Sequence, residues 1–203
     1  MVRSPTARLF VAVDPPEDVC EQLVAWARGA LRAADGRARS ATAPRMLDPE
    51  LLHVTLCFLG NRPVGEMDSL GTQLAACDGV AGELSVGAPL WLPTRHPRAL
   101  AVELHEDYGR LARLQAEVVA ALEEVSGWQA NDAPRVGESP TKPHRRFHPH
   151  ITLARLGRGA APHERVLPPT PSLSFVPSEL VLYRSWLSPE GASYEAIASH
   201  PIG

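Results

Sequence analysis

The sequence predicts an α+β fold, a single domain over residues 1–203 built as two quasi-equivalent lobes. Three observations point there. The phrase HVTLCFLG at 53–60 returns as HITLARLG at 150–157, with His, Thr, both Leu and Gly in matching places. Strand-like runs come in neighbouring pairs. Helical runs are few and amphipathic, which suits α+β better than a doubly wound sheet.

The elements follow in order. RLFVAVD (8–14) is a β-rich run stopped by Pro15-Pro16. Residues 16–35 place Val19, Leu23, Trp26/Ala27 and Leu31 at helical spacing, with acids early and arginines late, as the helix dipole favours. Residues 36–45 read as a loop, 53–60 as a strand ending at Gly60-Asn61, and 63–79 as a second helix. Residues 82–93 and 98–105 suggest a strand pair. The strongest helical pattern is 107–127, where Leu111, Leu114, Val118, Ala121/Leu122 and Val125 form one stripe ended by Gly127. Residues 129–147 read as a long polar, basic loop. HITLARL is a strand, and residues 173–202 hold two or three more.

Composition limits the function. A net charge of −3 gives no overall field for gripping long duplex nucleic acid, although a local basic patch still suits one or two phosphates. Cys20, Cys57 and Cys77 are widely spaced and lack a C-x-x-C pair, so they read as reduced thiols in a cytoplasmic protein. The apolar run Leu9–Val13 is too short for a signal-peptide core, and no run approaches the roughly 20 apolar residues of a membrane span.

The repeated phrase carries the chemistry. Alternate residues of a strand share a face, so His53 and Thr55 oppose Val54 and Leu56, and His150 and Thr152 oppose Ile151 and Leu153. Each phrase has an apolar back for a core and a His-x-Thr front. Facing each other across a cleft, the fronts would converge two imidazoles and two hydroxyls on one volume. One neutral imidazole can deprotonate water while a protonated one serves the leaving oxygen. The threonine hydroxyls can donate to phosphate oxygens as charge builds. No metal or cofactor is required. Two such matches arise by chance on the order of once in a thousand chains of this length.

The arrangement resembles the two-histidine (2H) phosphoesterase superfamily, and within it the RNA 2′,3′-cyclic phosphodiesterases, also called 2′-5′ RNA ligases. RLFVAVDPP, RMLDPELLHVTLCFLG, FHPHITLAR and ELVLYRSWLSPEGASYEAI each look like a motif of that family, so the likeness covers nearly the whole chain. It implies two pseudo-symmetric lobes around a central cleft, each an antiparallel sheet backed by helices. It also implies His53 as general acid, His150 as general base, Arg155 on the phosphate, and a 2′-phosphate product. Met46 and Leu51 depart from the family's usual aromatic and Asn.

Further site candidates are Arg155 and its pseudo-equivalent Phe58, with Phe10 as cleft floor or base-stacking platform. Strict alternation puts Arg155 and Phe58 on the face opposite the histidines, so Arg155 reaches a phosphate only where the strand ends or bulges. Lys142, His144, Arg145, Arg146 and His148 read as a basic lip, a plain solvated loop, or, through His144, His148 and His150, a metal site. His96, His105, His163 and His200 read as surface residues. The expected activity is metal-independent opening of 2′,3′-cyclic phosphates on RNA 3′ ends or small cyclic nucleotides, by a cytoplasmic monomer. The alternatives are 2′-5′ ligation, hydrolysis of another cyclic phosphate such as an ADP-ribose derivative, and a non-catalytic RNA-end-binding module.

Overall fold

The computed structural model describes residues 4–34, 44–126, 128, 147–157, 162, 165–188 and 191–202. The order is β1 (Thr6–Val13), α1 (Glu17–Ala34), β2 (Arg45–Met46), β3 (Val54–Pro63), α2 (Met67–Leu74), β4 (Leu84–Leu92), β5 (Ala99–His105), α3 (Arg110–Ser126), β6 (His150–Arg155), β7 (Ser174–Phe175), β8 (Glu179–Ser188) and β9 (Gly191–Pro201). A 3-10 turn, Pro49–Leu51, leads into β3.

The strands run β7-β4-β5-β6-β3-β1-β8-β9 in one antiparallel sheet, with β2 added beside β6. The two halves, β6-β5-β4-β7 and β3-β1-β8-β9, are laid out alike, each with its repeated phrase on the inner strand. They meet through Val54↔Ile151, the residues directly after the two histidines. The lobes of the sequence reading are thus joined into a continuous sheet, and the local symmetry axis runs between the phrases.

The helices exchange sides. α1 follows β1 but contacts β6, and α3 follows β5 but contacts β3. Val19, Leu23, Ala27 and Leu31 of α1 and Leu111, Leu114, Val118 and Leu122 of α3 are buried. They join Val54, Leu56, Ile151 and Leu153 in one core. Burying each of these larger apolar side chains is worth about 1.5–3 kcal/mol, which holds the backs of both phrases to the helices and leaves their fronts open.

Three segments differ from the sequence reading. β3 continues past Gly60 to Pro63 because Gly60 adopts φ 70° at a register shift between Leu9↔Gly60 and Phe10↔Phe58. The second helix is shorter than expected: a 3-10 turn at Val64–Glu66 precedes α2, which ends at Leu74. Arg45 closes the segment read as a loop, yet it starts β2. Among the described residues, no helix is long and apolar enough to cross a membrane.

Candidate active site

A cavity of about 580 Å³ opens where the two halves meet, and His53, Thr55, His150 and Thr152 all line it. The antiparallel register extending from Val54↔Ile151 sets His53 alongside Thr152 and Thr55 alongside His150.

Each imidazole is held in the same way. His53 Nδ1 lies 2.9 Å from the Leu51 carbonyl oxygen, and His150 Nδ1 lies 2.9 Å from the His148 carbonyl oxygen. A carbonyl only accepts, so Nδ1 carries the proton in both rings, and Nε2 is the nitrogen left for a ligand. The carbonyl sits two residues before the histidine each time. Leu51, where the family usually has Asn, contributes through its backbone, so that departure leaves the contact intact.

The surroundings of the two rings differ. His53 packs on an aromatic box: Phe10 at 4.8 Å between centroids and Tyr194 edge-on at 5.2 Å. Tyr183 stacks on Phe10 from behind, and its hydroxyl donates to the half-buried Asp14 carboxylate. Burial in this box pushes the His53 pKa down to about 4; the Leu51 carbonyl partly offsets the effect, while Arg155 and His150 add to it. Free His53 is therefore neutral near pH 7. Desolvation also raises the Asp14 pKa, an effect the Tyr183 hydrogen bond partly offsets. Cys57, in the first phrase, has its thiol pushed up to about 12 by burial, which removes it as a nucleophile.

Arg155 and Phe58 both line the cavity, against strict alternation. The reason is the same in both strands. β3 pairs Val11↔Cys57 and then Ala12↔Thr55, so Leu56 is an extra residue. β6 pairs Leu100↔Ala154 and then Ala101↔Thr152, so Leu153 is extra. Each bulge falls three residues after its histidine and turns the rest of the strand by one position. That swings Arg155 and the half-exposed Phe58 round to the His-x-Thr side. Phe10, only 2% exposed, floors the cavity beneath His53 rather than presenting a face to a base.

Sequence reasoning missed several lining residues: Arg8, Arg45, Arg98, Ser185, Gly191 and Tyr194. Most lie within the motifs quoted above, and the signal available was their place in those motifs. Lys142, His144, Arg145, Arg146 and His163 fall outside the described residues. His148 contributes its carbonyl to His150. Among the described residues, no group of three or more His, Cys, Asp or Glu comes together to hold a metal. His96 and His105 are exposed as expected, but His200 is half-buried, with Nε2 at 2.8 Å from the Gly71 carbonyl, because β9 carries it against α2.

No protein-family model matches the chain. A curated relative does: an RNA 2′,3′-cyclic phosphodiesterase of Thermus thermophilus is 32% identical over 193 residues, spanning 94% of this chain and 87% of the relative. This chain belongs to the RNA 2′,3′-cyclic phosphodiesterase family. An Escherichia coli protein of the same description is 28% identical over 188 residues, 88% of this chain and 86% of that one. Among solved structures, TT0787 of Thermus thermophilus matches with a TM-score of 0.70 at 30% identity, covering 96% of this chain and 97% of that one. Escherichia coli LigT complexed with NADP+ matches at 0.68 and 24%, covering 98% and 99%, and shows a shared fold. Fold class, superfamily and enzyme class, a phosphodiesterase, are thus those expected from the sequence and its family resemblance.

Proposed function

We propose that the chain hydrolyses 2′,3′-cyclic phosphates at RNA 3′ ends to 2′-phosphomonoesters, without a metal, using the two His-x-Thr fronts. The observation that carries this reading is the convergence of His53, Thr55, His150, Thr152 and Arg155 on one cavity, with both Nε2 atoms free for substrate. Neutral His150 takes a proton from water, which attacks phosphorus roughly in line with O3′. The P–O3′ bond breaks, and His53 gives O3′ its proton. Thr55, Thr152 and Arg155 hold the non-bridging oxygens, where charge grows in the transition state.

The low pKa of His53 shapes this scheme. An acid with a pKa of about 4 is empty near pH 7, so it must load with the substrate. The phosphate anion counters the positive charge of Arg155 at the ring and attracts a proton to it, and the imidazolium becomes the favoured form. Substrate binding therefore takes up a proton. The same observation favours one second reading, in which the roles are exchanged and neutral His53 is the base. Calorimetry of phosphate binding in buffers of differing ionisation enthalpy separates the two. Proton uptake that disappears in His53→Gln supports the acid role; no uptake supports the exchange.

The activity itself is tested by incubating an oligonucleotide with a 2′,3′-cyclic end in EDTA and following it by phosphorus NMR. A 2′-phosphate product is expected. A 3′-phosphate would contradict the orientation of attack, and turnover only with added metal would contradict the mechanism.

A further inference from the structure

Four arginines, Arg8, Arg45, Arg98 and Arg155, line the cavity, and no Asp or Glu does among its described residues. A cyclic phosphodiester carries a single negative charge, so Arg155 and the two threonines suffice for it. The surplus cations invite a second anion. Exposed arginines alone are weak evidence, but Arg45 is placed with unusual definition. It begins on β2 directly opposite Arg155 on β6, in the half that carries His150. Its guanidinium lies against Gly191, at the start of β9 in the other half. A Cβ added at Gly191 would stand 2.1 Å from Nη2, 2.7 Å from Cζ and 2.9 Å from Nη1 of Arg45.

Gly191 also holds φ 144°, a conformation side chains other than glycine's rarely adopt. The hairpin therefore keeps a bare backbone where the fork of Arg45 rests, and Arg45 bridges the cavity mouth from one half to the other. The ion pairs seen among the described residues are Arg62–Glu66 and Glu103–His105, and Arg45 is in neither. Two guanidinium-bearing residues directly opposite on paired strands repel unless anions lie between or beside them. With Arg155 turned into the cavity by the Leu153 bulge, Arg45 offers its planar donor fork one strand away, a geometry matched to phosphate.

We infer that Arg45, seated on Gly191, binds the phosphodiester on the 5′ side of the terminal nucleotide and so is the residue that distinguishes a strand end from a cyclic mononucleotide. The inference rests on the reading that this cavity opens 2′,3′-cyclic ends. Arg45 is a specificity residue in this account, and Gly191 is its positioning residue.

The test compares kcat/KM for adenosine 2′,3′-cyclic phosphate with that for a dinucleotide bearing the same cyclic end and one internal phosphodiester. The wild-type protein is expected to prefer the dinucleotide by about tenfold or more. In Arg45→Ala that preference falls toward one, and the dependence of dinucleotide kcat/KM on log salt becomes shallower by about 0.7, the slope for one phosphate contact on a single strand. Gly191→Ala displaces the guanidinium and gives the same loss of preference, with no further loss when combined with Arg45→Ala. Should the glycine variant fail to fold, Arg45→Ala and Arg45→Lys carry the test alone. A wild type without preference, or an Arg45→Ala that keeps the preference while losing activity equally on both substrates, overturns the inference. A wild type that turns over neither substrate overturns the functional reading instead.

Discussion

The two inner strands carry nearly the same eight residues, yet they place their histidines in different surroundings. On β6, His150 is held by one backbone carbonyl near the mouth of the cavity. On β3, His53 has the same backbone contact but sits on Phe10 and Tyr194, with Tyr183 and Asp14 behind. Every member of that box comes from β1, β8, β9 or the turn after β1, strands of the same half. The counterparts in the other half are β5, β4 and β7, and they supply no ring to His150 among the described residues. A repeated phrase thus supplies two identical groups, and their neighbours make one of them reluctant to carry charge.

The largest effects break the pair itself. His53→Ala and His150→Ala are each expected to fold and to lose kcat/KM by about 10²–10⁴-fold, measured on a cyclic-ended oligonucleotide. Near-wild-type turnover in either would remove that residue from the mechanism. Thr55→Val and Thr152→Val remove one donor from opposite sides of the phosphate. Each is expected to lower kcat by about 10²-fold, mainly without raising KM, because the contact strengthens in the transition state. A loss confined to one of the two would show that the phosphate leans to a single half.

Smaller effects sharpen the difference between the halves. Phe10→Leu opens the box beneath His53 and is expected to destabilise the fold by about 1–3 kcal/mol. It should also move the His53 pKa upward, read by NMR titration of the histidine rings. The box has a signature in stability as well. The folded-state pKa of His53 is depressed from 6.5 to about 4, so between these values the unfolded chain binds the proton and the folded chain does not. The protein should therefore lose stability as pH falls from 6.5 toward 4, by up to about 1 kcal/mol per pH unit from this group. His53→Gln should flatten that part of the curve relative to wild type, as measured by denaturant unfolding across pH.

How much of this was legible in the sequence follows from what each feature depends on. The helices α1 and α3 were readable because Leu23, Ala27, Leu114 and Val118 recur at helical spacing and face one core. The His-x-Thr fronts were readable because strand alternation is a local rule. The bulges at Leu56 and Leu153 were not, since both residues are ordinary apolar strand formers and the shift exists only in the pairing with β1 and β5. Their one trace was the parity conflict at Arg155, which required a bulge or a strand end. The aromatic box was equally hidden, because Phe10, Tyr183 and Tyr194 are far apart in the chain and meet only through the order β3-β1-β8-β9. Arg45 sat in what reads as the end of a loop, and nothing local marks Gly191 as its seat.

The central claim is that two sequence-equivalent histidines face one phosphate in unequal protonation states, with His53 taking up its proton as the anion binds. It is tested most directly by NMR titration of both imidazoles, first in the free protein and then with saturating inorganic phosphate. His53 is expected to titrate near pH 4 when free, to move upward with phosphate, and to keep its proton on Nδ1 when neutral. A His53 that titrates near the ordinary value and is unmoved by phosphate would contradict it.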